Sequence, residues 1–373
     1  MKEYSTAFPY FPQSDVEDIV TEVREILEGR KMLTMGEHVR AFESEFSKYS
    51  GVRHSVATNS CTSALELSLF ALNLSANDEV IVPVQTFIAT GSCVLKSGAK
   101  IVFCDVDNDF LLDFEFMKNL VNENTKAVII GHFAGMISKD ILKISSYLKD
   151  RNIVLIEDSA HAHGAMFGKL KAGSIGDFGC FSFYSTKIMT TGEGGMITTN
   201  NVKYYEKCAS MRSRGEDIKC KEELFVNLGG NYRVTEIQAL LGRYQLKRLE
   251  EFLAHRNKIA SIYKNELRDL IKNNIIRIQQ VSNVSRHSYW RFIVFLNQHD
   301  RDEIKDKLNA LNIKVDAPYS PLLHQQPLFK DVVKSKYPNA EKLLQKHISL
   351  PVHLMIKEDD ARFIVNHLKE ILK

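Results

Sequence analysis

Short, unbroken apolar runs that alternate with charged helical patterns constrain this chain more than any other feature. EVIVPV at 79–84, KIVFC at 100–104, AVIIG at 127–131 and IVLI at 153–156 are rich in β-branched residues and too short for helices. Between and around them, residues 16–28, 38–49, 62–74, 89–97 and 141–151 carry apolar positions at helical spacing. Strands separated by helices pair side by side in parallel, and strands apolar on both faces are buried on both. The pattern predicts an α/β fold with a mainly parallel, doubly wound sheet.

Near residue 245 the texture changes. Residues 244–272 form a long, highly charged helical pattern, followed by a strand (RFIVFL, 291–296), a helix over 302–311 and a final helix over 359–372. We therefore expect a large α/β domain over 1–245 and a smaller α+β domain over 246–373, hinged on the long helix.

Composition removes several function classes. The chain has 49 basic and 46 acidic residues, for a net charge of +3. That balance gives no broad field to attract nucleic acid or an anionic membrane. Six cysteines without a CxxC spacing do not make a disulfide scaffold. They read as reduced thiols in or near the core of a cytoplasmic protein. No stretch approaches the ~20 apolar residues of a membrane span, and the first residues lack the apolar core of a signal peptide.

Open α/β sheets bind ligands beyond the carboxyl ends of their strands. The densest such region here is VLIEDSAHAHGAMFGKLKAGSIGDFGCFSFYSTKIMTTGEGG, at 154–195. Asp158 ends a strand, where an acid either caps the next helix or holds a cationic group of a ligand. Lys187 lies in an apolar, small-residue segment. It is either a surface lysine or a poorly solvated amine that loses its proton easily and can bond to an aldehyde as a Schiff base. Gly192, Gly194 and Gly195 form a tight turn before a strand at 196–199, or let backbone approach a ligand or a second chain. TNSCTSAL at 58–65 opens a helix. Its hydroxyls cap that helix, or its free N–H groups and positive dipole end bind a phosphate. One ligand would satisfy all three elements: a phosphate for Thr62, Ser63 and Ser182, an aldehyde for Lys187, and a basic ring nitrogen for Asp158. Pyridoxal 5′-phosphate has these groups.

Ten motifs follow one another in order from about residue 33 to residue 351: LTMGEHVRAFESEFSKYSGV, NSCTSALELSLFAL, VIVPVQTFIAT, FCDVD, IEDSAHAHGA, GDFGCFSFYSTK, TGEGGM, GGNYRVTEIQALLGRYQL, YSPLLHQQPLF and SLPVH. On these the sequence resembles the DegT/StrS-type aminotransferases. These are fold-type I pyridoxal-phosphate enzymes that aminate nucleotide-linked keto-sugars and some cyclitol ketones.

The resemblance implies that Lys187 bonds to the cofactor aldehyde, that Asp158 pairs with its ring nitrogen, and that Thr62, Ser63 and Ser182 hold its phosphate. Phe87 takes the position of the aromatic that stacks on the ring. His161 stands near the ring hydroxyl, where many relatives carry glutamine. Asn231, in GGNYR, matches the residue that reaches the neighbouring subunit's cofactor phosphate, so a homodimer would share its two sites. Tyr319 and His324, in YSPLLH, fall on the substrate side. L-Glutamate would be the amino donor. The acceptor would be a nucleotide-linked 3- or 4-keto-6-deoxyhexose, in amino-sugar biosynthesis for lipopolysaccharide or capsule.

Three alternatives stand beside this reading. One is amination of a non-nucleotide ketone, such as an inosose or a small phosphorylated ketone. Another is a sugar 3-dehydratase on the same fold, although that branch typically has histidine where this chain has Lys187. The third is a binding protein without turnover. Other conspicuous residues read as structural. His163 is expected to pack or hydrogen-bond, Glu157 to support its strand end and Trp290 to lie in the core. Residues 169–171 should form a solvated hairpin, and His161 with His163 lacks the partners and spacing of a metal site.

Overall fold

The computed structural model describes residues 2–220, 222–333 and 335–373. Its centre is a seven-stranded sheet built from His54–Thr58 (β1), Glu79–Pro83 (β2), Lys100–Cys104 (β3), Thr125–Gly131 (β4), Val154–Asp158 (β5), Phe178–Ser182 (β8) and Gly195–Thr199 (β9). Met166–Phe167 (β6) and Leu170–Lys171 (β7) form a small hairpin between β5 and β8. The spatial order is β1-β9-β8-β5-β4-β2-β3. From β3 to β8 the strands are parallel. β9 turns back antiparallel to both β8 and β1. The segment joining β8 to β9 contains no crossover helix, so only the antiparallel pairing is open to it.

Side-chain alternation explains why the middle of β2 is apolar at every position. Along β2, Val80 and Val82 enter one apolar cluster with Ala64 and Leu65 of Cys61–Phe70 (α3) and Cys93 and Val94 of Ile88–Lys96 (α4). Ile81 points the other way, into a cluster with Ile144 and Leu148. Five further helices complete this part of the chain: Gln13–Leu27 (α1), Glu37–Ser50 (α2), Phe114–Leu120 (α5), Ile141–Lys149 (α6) and Val202–Arg212 (α7). The sheet is thus covered on both faces, and its fold class is the α/β arrangement expected.

Glu236–Glu266 (α8) starts earlier than its charge pattern indicates. Thr235 caps it in a reciprocal box with Gln238. Gly242, inside the helix, is where Phe42 of α2 packs. A Cβ there would come within 2.5 Å of the phenyl ring, so this close helix contact admits only glycine.

α8 runs without a break through residue 245 into a second apolar cluster. That cluster lies on a three-stranded antiparallel sheet of Ile276–Ile278 (β10), Phe292–Leu296 (β12) and His347–Leu350 (β13). Arg268–Lys272 (α9), Arg301–Ala310 (α10), Pro338–Leu344 (α11) and Glu358–Ile371 (α12) complete the C-terminal part. Tyr4 departs from a simple division at 245. It bridges to Ile313 and is buried among the C-terminal residues. Ser285–Arg286 (β11) pairs with β6, tying the hairpin to this unit. Lys171 on that hairpin is not simply solvated as expected. Its ammonium donates to the Tyr49 carbonyl and lies 3.6 Å from the centre of the Tyr49 ring.

All six cysteines are free, and all but Cys220 are buried. Among the described residues no helix is long and apolar enough to cross a membrane, and no group of three or more His, Cys, Asp or Glu side chains is arranged to hold a metal ion.

Candidate active site

The carboxyl ends of β4, β5 and β8, the segment after β2 and the start of α3 converge on a cavity of about 480 Å³. Asp158 and Lys187 both line it. Glu157 and Asp158 are consecutive on β5 and therefore face opposite ways. Glu157 turns into the protein and is fully buried. It accepts from the backbone N–H groups of Gly173 (2.9 Å), Ile175 (2.7 Å) and Gly176 (2.7 Å), and pairs with His132 Nε2 at 2.8 Å. Asp158 turns to the cavity. Thr90 donates its hydroxyl to Oδ2 at 2.8 Å, and the Ala160 N–H donates to Oδ1 at 3.2 Å. The carboxylate is thereby fixed in direction while remaining on the cavity wall.

Lys187 sits in the loop that leaves β8. Its ammonium makes no ion pair among the described residues and lies over the Trp290 ring, 4.8 Å from its centre. Burial lowers its pKa from the ordinary 10.5 to about 8, with Asp158 and Cys61 opposing the shift and Arg291 adding to it. The glycines that follow build this loop. Gly192 and Gly194 take positive φ angles in the turn. Gly195 passes so near the start of α3 that a Cβ would meet the Ser60 carbonyl at 2.4 Å. The close backbone approach left open by the sequence is thus to the chain's own helix start.

At that start Ser60 caps α3, its Oγ accepting from the Ser63 N–H at 3.1 Å. Ser60, Thr62 and Ser182 line the cavity. Ser63 does not: its hydroxyl is engaged inside the cap, donating to Asn59 Oδ1 at 2.6 Å. Phe87 lines the cavity half-exposed, and His161 and Tyr319 form part of the wall. His324 lies elsewhere, against Phe103 and Tyr337 and 3.1 Å from Glu341. Asn231 is exposed and does not line the cavity of its own chain; its backbone bridges to Ser213.

Trp290, expected in the core, is buried but forms cavity wall, stacked on His161 with ring centres 3.6 Å apart. Nothing in its local sequence marks this, because its partners come from distant segments. Gln85, His132, Tyr184 and Glu193 also line the cavity and were not singled out. His163 packs against Phe181 and Phe183, and burial brings its pKa down to about 3.

This donor set fits pyridoxal 5′-phosphate. It offers a buried amine of lowered pKa for the aldehyde, an oriented carboxylate for the ring nitrogen, and hydroxyls beside a helix N-terminus for the phosphate. The sequence pattern of the DegT/DnrJ/EryC1/StrS aminotransferase family matches residues 13–369. The chain belongs to this family. A DegT/DnrJ/EryC1/StrS relative from Caulobacter vibrioides, named GDP-perosamine synthase, is 35% identical over 356 residues, covering 94% of each chain. Among solved structures, PseC of Helicobacter pylori, an aminotransferase of pseudaminic acid biosynthesis, superposes with a TM-score of 0.90 at 27% identity. That match covers 100% of this chain and 99% of PseC. NtdA of Bacillus subtilis, solved with its cofactor PMP, gives 0.88 at 26% identity, covering 98% of this chain and 85% of NtdA. The protein is a pyridoxal-phosphate-dependent transaminase of fold type I.

Proposed function

We propose that this enzyme moves the amino group of L-glutamate to a nucleotide-linked 3- or 4-keto-6-deoxyhexose. It would act in the cytoplasm, in amino-sugar biosynthesis for lipopolysaccharide or capsule. The observation that carries the reading is one cavity lined by both the buried amine of Lys187 and the held carboxylate of Asp158. The names of the Caulobacter relative and of PseC support the sugar as acceptor.

When bound, pyridoxal 5′-phosphate supplies an electron sink for the carbanion formed at the donor's α-carbon. The chain's residues do the rest. Lys187 would anchor the cofactor, and its free amine would carry the proton to and from the donor's α-carbon. A pKa of about 8 suits a group that must both take and give a proton near neutrality. Asp158, aimed by Thr90 and the Ala160 N–H, keeps a proton on the ring nitrogen. Thr62, Ser182 and the start of α3 hold the phosphate, with Ser63 acting through the cap. Phe87 would cover the ring, and His161 would lie near its hydroxyl. Tyr319 faces the acceptor. His324 is not part of this assignment, since Glu341 and two aromatic rings occupy it. Asn231 would complete the site of the partner in a homodimer.

The test is a panel of nucleotide-linked 3-keto and 4-keto sugars incubated with L-glutamate and read by product mass. Amination of one of them is the expected result. Turnover of an inosose or a small phosphorylated ketone, with no nucleotide sugar aminated, would overturn the sugar assignment.

A further inference from the structure

Trp290 comes from the C-terminal part of the chain, two residues before β12, yet its side chain meets Lys187 and His161 of the large sheet region. Its backbone N–H is tied to the Ala134 carbonyl at 2.9 Å. Its indole Nε1–H donates to the carbonyl of Thr186 at 2.9 Å. That carbonyl belongs to the peptide unit whose N–H is Lys187's own. The N–H end is also held, donating to the Tyr184 carbonyl at 2.9 Å. A planar peptide bonded at both ends has no freedom to rotate, so the direction in which the Lys187 side chain leaves the backbone is fixed from both sides. The same indole lies parallel to the His161 imidazole, at 10° and 3.6 Å. The far ring nitrogen of His161 is held by Tyr319 at 2.7 Å.

We propose that Trp290 is a positioning residue for transamination: its indole N–H pins the Thr186–Lys187 peptide while its ring fixes the plane of His161, so that amine and imidazole keep one mutual geometry. A tryptophan that served the core alone would need neither an acceptor in the lysine-bearing peptide nor a parallel partner on the cavity wall. The proposal rests on Lys187 being the residue that bonds the cofactor.

Two variants separate the two contacts. Trp290→Phe keeps a ring against His161 and loses the N–H donor. Trp290→Leu loses both. Each is compared with wild type in four measurements: visible-region circular dichroism of the bound cofactor, the pH midpoint of its absorption band, the saturable half-reaction with L-glutamate, and the melting temperature of the apoenzyme. For Trp290→Phe we expect the limiting rate to fall about two- to tenfold, the effect of one lost hydrogen bond, with the pH midpoint kept. For Trp290→Leu we expect a fall on the order of 100-fold, as for a misplaced reacting group. Its dichroic band should also be altered and its pH midpoint displaced, while half-saturating glutamate changes little.

Unchanged rates and spectra in both variants would overturn the proposal. So would equal losses in the two that merely follow the melting temperature. Borohydride reduction of the wild-type holoenzyme distinguishes the deeper failure. Cofactor fixed to a lysine other than Lys187 would overturn both the site reading and this inference, whereas fixation at Lys187 with unaffected variants would overturn this inference alone.

Discussion

The Tyr319 hydroxyl and His161 Nε2 share a hydrogen bond of 2.7 Å. Burial sets the charge state of this pair. It raises the Tyr319 pKa well above its ordinary value and lowers that of His161 well below its own, with Lys187 adding to the lowering. The pair therefore rests as a neutral phenol and a neutral imidazole across the whole working pH range.

Tyr319→Phe leaves a buried imidazole nitrogen without its hydrogen-bond partner. A loss of about 1–3 kcal/mol of stability is expected, read by denaturant unfolding. Because neither member of the pair titrates near neutrality, the pH profile of the glutamate half-reaction should keep its inflection in this variant. An inflection that vanishes would show that the pair, not Lys187, carries it.

Lys187 in the apoenzyme should react with an amine-directed acylating reagent with a midpoint near pH 8. The neutral amine is the reactive form, so labelling rises with pH through that value. Asp158 favours the charged amine, and removing its charge in Asp158→Asn should move the midpoint down. Peptide mapping of the label checks both statements, and a midpoint near the ordinary 10.5 would contradict the first.

Asp158→Asn should still bind the cofactor yet lose at least about 100-fold in the glutamate half-reaction, since the shape is kept and the charge is lost. Stopped-flow absorbance measures this directly. A near wild-type rate would remove Asp158 from its proposed role.

Glu157→Ala should cost about 3–5 kcal/mol, because it strands the buried Gly173 N–H, two part-buried backbone donors and a buried histidine at once. Thermal and denaturant unfolding of the apoenzyme test it. A change under about 1 kcal/mol would mean that the 173–176 turn is held by other contacts.

If Asn231 serves the partner's site, a mixed dimer of one Lys187→Ala chain and one Asn231→Ala chain has one intact site and one doubly damaged site. It should regain about half of wild-type activity, in a closed twofold assembly. If both residues serve the same chain, each site carries one lesion and no activity returns.

Much of this architecture was legible because the buried strands announce themselves. KIVFC occupies β3 residue for residue, and the alternation of Val80, Ile81 and Val82 between two cores requires apolar residues at every position. The start of α8 was hidden because Gly242 interrupts the helical pattern for a reason that lies on another helix, Phe42 of α2. Asp158 and Lys187 stood out from the strand end and the loop that carry them, and both line the cavity. The misplaced residues depended on tertiary neighbours. Ser63 is turned inward by Asn59, His324 is taken up by Glu341, and Trp290 is drawn to the cavity by a carbonyl more than a hundred residues away in sequence.

The chain contains a single tryptophan, and it forms part of the wall of the candidate cofactor cavity. All indole emission from the protein therefore originates within one ring's contact of His161 and within 4.8 Å of the Lys187 amine. The molecule carries its own optical probe, with no competing emitter of the same kind. Quenching of that emission counts occupied sites, its recovery times cofactor departure, and energy passed from the indole to the bound chromophore reports their separation, all in unlabelled enzyme.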